Sequence, residues 1–236
     1  MLSDEKILIT GASGLVGREF AKALAPHNEV WGLSRYAASR EGEINAWAVS
    51  REETEKMGVK TFAANLLADL TGLPDDFTYV LHFAHTRLPA EQLYEAVAIN
   101  SVGPGWVLQH CRKAKAALVV SSTAVYSWPT DPDFAADERA DLCRGAGPSF
   151  NPTSAASKLS LEAVSRFCAN IFELPVTIKR LNVPYGPNSG MPIRDMDAIA
   201  TGRPLMHGLL EPFPNTPIHF DDMIDQVEAL LDAAST

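Results

Sequence analysis

The chain has 236 residues, with 20 Lys+Arg against 29 Asp+Glu for a formal net charge of −9, and 46% of it is hydrophobic. That length predicts one domain, or one domain with a small annex, and the apolar share excludes a disordered, collagen-like or coiled-coil chain. The acidic balance, with no basic run longer than Arg112-Lys113 and Lys115, argues against a nucleic-acid partner.

Cys111, Cys143 and Cys168 lie far apart with no C-x-x-C pair, so neither a metal knuckle nor a redox dithiol is expected, and a reduced, cytoplasmic setting fits best. No apolar run approaches the roughly 18 residues of a membrane span. Met1 to Lys6 shows no basic segment leading into an apolar one. A soluble protein with no membrane partner is expected.

Short apolar runs alternate with longer segments of helical period, which predicts β-α-β units around a parallel sheet. Strands are expected at 6–10, 29–34, 59–64, 79–84, 117–122 and 175–181. Their Val/Ile/Leu content suits strands covered on both faces. Helices are expected near 14–25, 90–114, 152–172, 192–201 and 221–234. Two stretches break the rhythm. Residues 36–57 are polar and read as a surface insertion with a short helix. Residues 127–151 carry Pro129, Pro132 and Pro148 with several carboxylates and read as a substrate-side loop.

The first strand runs into Gly11-Ala12-Ser13-Gly14-Leu15-Val16-Gly17 and then into an amphipathic helix with Leu15, Phe20 and Leu24 expected inward. Three glycines between a strand and a helix allow a tight turn, close approach of backbone N–H groups to a pyrophosphate, and close helix–strand packing. A dinucleotide-binding turn is the reading.

The G-x-x-G-x-x-G spacing resembles the short-chain dehydrogenase/reductase superfamily, and further stretches resemble its extended, NAD-dependent epimerase/dehydratase branch in order along nearly the whole chain. Leu81-His82-Phe83-Ala84-His85 is similar to the "HxA" segment, and Asn100-Ser101-Val102-Gly103 to "NVxGT". Ser121-Ser122-Thr123-Ala124-Val125-Tyr126 is similar to "SSxxVYG", Ser157-Lys158 to the end of "YxxSK", and Arg180-Leu181-Asn182-Val183-Pro184-Tyr185-Gly186-Pro187 to "RxxNVYGP". The resemblance implies a Rossmann-type α/β fold with a doubly wound parallel sheet over 1–182 and a partial substrate-binding region over 183–236. It implies cofactor contacts at Gly11, Ser13, Gly14, Leu15, Val16 and Gly17, at Phe83, Ala84, His85 and Asn100, and at Lys158, Leu181 and Val183. Family members usually run longer, so either the natural protein is minimal or the chain is shortened. The family often dimerises through helices equivalent to 90–114 and 152–172, so a homodimer is one open alternative for the assembly.

In Rossmann folds an acid at the end of the second strand holds the ribose 2′-OH of NAD, whereas a nearby Arg receives the 2′-phosphate of NADP. Here the strand ends in Ser34-Arg35, which points to NADP first and NAD second, with Arg18 or Arg40 able to assist. Asn65-Leu66 stands where the family has an Asp-aliphatic pair beside the adenine.

The family's chemistry is hydride transfer, with a Tyr phenol moving the hydroxyl proton, a Lys lowering the phenol's pKa and a Ser orienting the oxygen. Ser122 takes the Ser place and Lys158 the Lys place. The Tyr place, four residues before Lys158 on the same helix face, holds Ser154. Asn151-Pro152 is expected to cap that helix. Tyr126, Tyr185 and His85 are the candidate substitutes for the phenol. His82 and His85 form an H-x-x-H pair, but no metal site is expected, and Asp221-Asp222 are read as helix N-terminal acids. Two functions stay open: an NADP-linked oxidoreductase or epimerase/dehydratase acting on a small carbonyl or hydroxyl substrate with an atypical acid–base group, or a catalytically silent NADP-binding protein used for regulation or assembly.

Overall fold

The structure, a computed structural model, describes residues 2–36, 48–127, 131, 135–143, 151–187, 189–204 and 216–235. The six expected strands form one parallel sheet: β1 (Lys6–Thr10), β2 (Glu29–Ser34), β3 (Lys60–Ala63), β4 (Tyr79–His82), β5 (Ala116–Ser122) and β6 (Val176–Leu181), in the order β3-β2-β1-β4-β5-β6. Side chains alternate across it. Ile7, Ile9, Leu81 and Leu118 pack on one face with Phe20 and Leu24 of α1 (Leu15–Leu24), whereas Leu8, Val80 and Val119 pack on the other with Leu108 and Leu161. Both faces are covered, which is why the strands read as continuous apolar runs. Leu15, expected inward, stands half-exposed at the helix's first position; Gly17, Phe20, Ala21 and Leu24 supply the buried stripe.

The helix expected over 90–114 is a broken run. A 3₁₀ turn (Ala90–Gln92) leads into α3 (Leu93–Val97), a π turn (Ala98–Val102) and α4 (Gly103–His110). The π turn carries buried Asn100 and Ser101, whose side chains bond outside their own helix, to Thr86 and to the Ser157 carbonyl. Such a turn re-aims side chains that a regular helix would direct elsewhere. In the insertion the expected surface helix is α2 (Arg51–Lys56), closed at its start by a Ser50/Glu53 capping box; residues 37–47 lie outside the described residues.

Helix α5 (Ser154–Phe172) packs on α4 and β5. Its start differs from expectation, because Asn151 does not cap it. The boundary residue is Thr153, whose hydroxyl donates to the Leu88 carbonyl at 3.0 Å, while Asn151 Oδ1 is buried without a partner among the described residues. After β6 the chain makes a small sheet that periodicity did not reveal, β8-β7-β9, from β7 (Val183–Gly186), β8 (Ser189–Gly190) and β9 (Pro217–His219). Helix α6 (Met191–Ala200) follows β8. Helix α7 (Phe220–Ser235) begins with Asp221 and Asp222 in its first turn, as read, and returns to the large sheet, placing Met223, Val227 and Leu231 in the core with Ile7 and Phe20.

Candidate active site

The strand order reverses direction of growth between β1 and β4, and the crevice beyond the carboxyl ends of these strands is where open α/β sheets hold ligands. Gly11 leaves β1 at φ +72°, and a Cβ there would meet Ala84 Cα and N at 2.8 Å, so only glycine lets the turn lie against the end of β4. A Cβ on Gly17 would overlap the Gly11 carbonyl oxygen. Gly14 N donates to that same oxygen at 2.8 Å and Gly14 is the N-terminal boundary of α1. The three glycines therefore make a cradle at a helix N-terminus with no side chains in it, the shape and polarity a pyrophosphate needs. Leu15 and Val16, the first residues of α1, are half-exposed.

At the end of β2, the Ser34 hydroxyl accepts from Ser13 N at 3.2 Å and so braces the turn from the side. Among the described residues no carboxylate occupies the β2 terminus, and Arg35 follows directly. Arg18 pairs with Glu19, and Arg40 lies outside the described residues. Beyond β3, Asn65 Oδ1 accepts from Leu67 N at 3.2 Å in a local turn. Leu66 is buried against Gly103, where a Cβ would come within 2.6 Å of the Leu66 Cβ.

Past β4 the chain is held at several points. Phe83 stacks on Phe20 with ring centroids 4.6 Å apart, and Ala84 N donates to Thr10 Oγ1 at 3.3 Å. Asn100, expected to touch cofactor, spends its amide on the loop: Oδ1 accepts from Thr86 N at 2.7 Å and Nδ2 donates to Thr86 O at 2.8 Å. Thr153 holds Leu88. His82 lies wholly inside, with Nδ1 2.7 Å from Thr10 Oγ1, and burial together with the Lys158 charge pushes its pKa down to about 3. His85 keeps both ring nitrogens out of solvent with no hydrogen-bond partner among the described residues. Its pKa is not the ordinary 6.5: burial, then the charges of Lys158, Arg87 and His82, hold it well below. The described residues contain no group of three His, Cys, Asp or Glu able to hold a metal.

Ser154, Lys158 and Glu162 share the face of α5 that meets β5 and β6. Lys158 Nζ donates to the Val120 carbonyl at 2.6 Å, and burial lowers its pKa to about 8 against an opposing pull from Glu162. Ser122 Oγ accepts from Ala124 N at 3.1 Å, beside the last pair of the β5–β6 ladder, Ser122 and Leu181. Ser154 is buried on the first turn of α5, four residues before Lys158.

Of the two candidate tyrosines, Tyr126 has its hydroxyl bonded and Tyr185 makes a ring contact. A 3₁₀ turn (Thr123–Val125) bends the chain after β5, and the Tyr126 hydroxyl then accepts from Arg180 Nη1 at 3.0 Å, with the guanidinium 4.8 Å from the ring centroid. Tyr185 sits in the small sheet, edge-on to His219 at 5.3 Å. Val183 opens that sheet. Sequence reading missed the group that holds Tyr126. Glu162 receives Arg180 through two bonds of 2.9 Å and the Ser121 hydroxyl at 2.6 Å. Burial raises the Glu162 pKa, but Arg180 and Ser121 outweigh it and keep the carboxyl below its usual range. The i, i+4 spacing of Lys158 and Glu162 was the signal available for it. In the acidic loop Tyr126 bridges Leu142, and Arg180 reaches the Glu138 carbonyl at 3.0 Å; residues 128–130, 132–134 and 144–150 lie outside the described ones.

No helix among the described residues is long and apolar enough to cross a membrane. Curated protein sequences give no significant match. Among solved structures, UDP-glucuronic acid 4-epimerase from Bacillus cereus, in complex with UDP-glucuronic acid and NAD, is 20% identical, with a TM-score of 0.75 over 96% of this chain and 73% of its own. UDP-N-acetylglucosamine 4-epimerase from Methanobrevibacter ruminantium M1, with UDP-N-acetylmuramic acid, is 18% identical, with a TM-score of 0.75 over 98% of this chain and 74% of its own. TunA, an NAD-dependent NDP-hexosamine 5,6-dehydratase, is 22% identical, with a TM-score of 0.72 over 96% and 72%. These likenesses establish the shared fold. The sequence profile of the NAD dependent epimerase/dehydratase family matches residues 7–208, and with that match over most of its length the chain belongs to this family.

Proposed function

We propose that the chain is a nicotinamide-dependent oxidoreductase of the epimerase/dehydratase kind, NADP-linked, that acts on a hydroxyl- or carbonyl-bearing sugar nucleotide. The observation that carries it is Lys158, a desolvated cation pinned to the Val120 carbonyl at the same sheet end as a glycine turn so tight that a Cβ on Gly11 or Gly17 would collide with neighbouring backbone. A buried ammonium costs stability unless partners compensate it, and among the described residues Lys158 has one neutral carbonyl within hydrogen-bond distance. The site residues fit a dinucleotide: Gly11, Ser13, Gly14 and Gly17 would take the pyrophosphate, Asn65 and Leu66 the adenine, and Lys158 the nicotinamide ribose. The cofactor would supply hydride exchange with a carbinol carbon. Ser34 and Arg35, in place of an acid at the β2 terminus, support NADP over NAD through a guanidinium–phosphate contact. Sugar nucleotides are suggested by the ligands of the B. cereus and M. ruminantium epimerases.

A second reading, a catalytically silent cofactor-binding protein, is favoured by one observation: Ser154 lacks the acidity of a phenol. Incubation with NADP⁺ or NAD⁺ and UDP-glucose, UDP-glucuronic acid or UDP-N-acetylglucosamine separates them. Reduced-nicotinamide absorbance or a new sugar epimer supports the enzyme; saturable cofactor binding with neither product supports the silent binder.

A further inference from the structure

We propose that His85 is the residue that takes and returns the substrate proton, in place of the phenol that Ser154 replaces; this rests on the oxidoreductase reading above. Three observations lead to it. Both His85 ring nitrogens are shut off from solvent and unpartnered among the described residues, so the ring is placed to meet a ligand. Its backbone is fixed on either side, by Thr10 on Ala84 before it and by Asn100 on Thr86 after it, so the ring does not rely on a ligand to be positioned. Among the alternatives, Tyr126 is occupied by Arg180, Tyr185 faces His219, and His82 spends Nδ1 on Thr10.

Register brings His85 to the same end of the sheet as Lys158. His82 pairs with Val119 across β4–β5, Lys158 Nζ lies on the next carbonyl, Val120, and His85 emerges three residues beyond His82. The titratable and charged groups facing the ring are Lys158 from α5, neutral His82 from β4 and Arg87 from its own loop, with Arg194 of α6 facing Arg87 and Glu162 facing Lys158. Burial first, and then the cations of Lys158 and Arg87, keep the imidazole neutral and able to accept a proton.

In the forward step the carbinol O–H proton passes to an imidazole nitrogen of His85 as the carbinol carbon gives its hydride to oxidised nicotinamide, leaving a C=O bond. In the return step the imidazolium gives that proton back to the oxygen as the carbon regains hydride. No other oxidant is needed, and return of hydride to the opposite face inverts the carbon.

The test joins histidine-labelled NMR with first-turnover kinetics. In the NMR arm, the imidazole signal lost in His85→Asn is expected to titrate below pH 6.5 in the unmodified protein and to move when NADP⁺ or NAD⁺ is added. In the kinetic arm, nicotinamide reduction with the three UDP-sugars is expected to rise with pH through that titration. His85→Asn and His85→Gln are expected to lower it about 10²- to 10⁴-fold, the usual worth of a general acid–base group, and to lose the acid limb while still binding cofactor. Variants that bind cofactor and keep both rate and acid limb, or a His85 signal indifferent to cofactor, overturn the proposal. Failure of the unmodified protein to bind cofactor overturns the oxidoreductase reading itself, and the His85 proposal with it.

Discussion

Lys158 donates its ammonium hydrogen bond to the backbone carbonyl of Val120, 2.6 Å away and inside the protein. The contact ties the first turns of α5 to the carboxyl half of β5, so Ser154 and Ser122 are carried on elements locked to one another. It also holds a charge where water does not reach, and the pKa falls from 10.5 to about 8.

That charge gives stability a defined pH dependence. Between pH 8 and 10.5 the folded protein has released the Lys158 proton while the unfolded chain still binds it, so the unfolded state holds more protons and stability rises with pH. Relative to Lys158→Met, the unmodified protein is expected to gain on the order of 3 kcal/mol across that window, at about 1.4 kcal/mol per pKa unit. Urea unfolding of both proteins at pH 7 and at pH 10.5 measures it. A difference that does not change with pH would mean the ammonium is hydrated.

Glu162 and Arg180 form the second buried pairing, their side chains 6% and 14% exposed. Glu162→Gln leaves the Arg180 charge without its partner and is expected to cost about 3–5 kcal/mol, the usual penalty for breaking a buried pair. The lowered Glu162 pKa adds stability that is full above the unfolded value of 4.5 and is lost as pH falls through the folded one. Acid unfolding of the variant is therefore expected to be less steep than that of the unmodified protein. Chemical denaturation at pH 7 and pH 4 checks both statements.

Asn100 controls the loop that carries His85. Asn100→Ala removes both bonds to Thr86 and is expected to speed exchange of the Thr86 amide by about tenfold or more, as loss of roughly 1.4 kcal/mol of local protection. Hydrogen exchange read residue by residue is the measurement. Unchanged Thr86 exchange would show that Phe83 and Leu88 fix the loop without Asn100.

The large sheet was legible because parallel strands buried on both faces have little choice of composition, and the six apolar runs named every strand to within a residue or two at its ends. The glycine turn was legible because Gly11 and Gly17 have no room for a Cβ. What stayed hidden depended on partners distant in sequence. The π turn at Ala98–Val102 exists where Asn100 and Ser101 bond to Thr86 and Ser157, and no local period encodes that. Asn151 was read as the α5 cap from its type, yet Thr153 takes the boundary and bonds to a loop 65 positions earlier. Strands β7 to β9 are two to four residues long, too short for alternation to show. The spacing placed Ser154 one helical turn before Lys158; that the Tyr126 hydroxyl is taken by Arg180 required the tertiary contacts.

The account depends most on the crevice between β1 and β4 holding a nicotinamide dinucleotide with the 2′-phosphate at Arg35. Calorimetric titration of NADP⁺ and NAD⁺ into the unmodified protein, Arg35→Ala and Gly17→Ala tests it most directly. The expected result is tighter binding of NADP⁺ than NAD⁺, about a tenfold or greater loss for NADP⁺ alone in Arg35→Ala, the worth of a charged hydrogen bond, and loss of both in Gly17→Ala. Equal affinities in the unmodified protein would contradict the NADP assignment, and no binding of either would contradict the account.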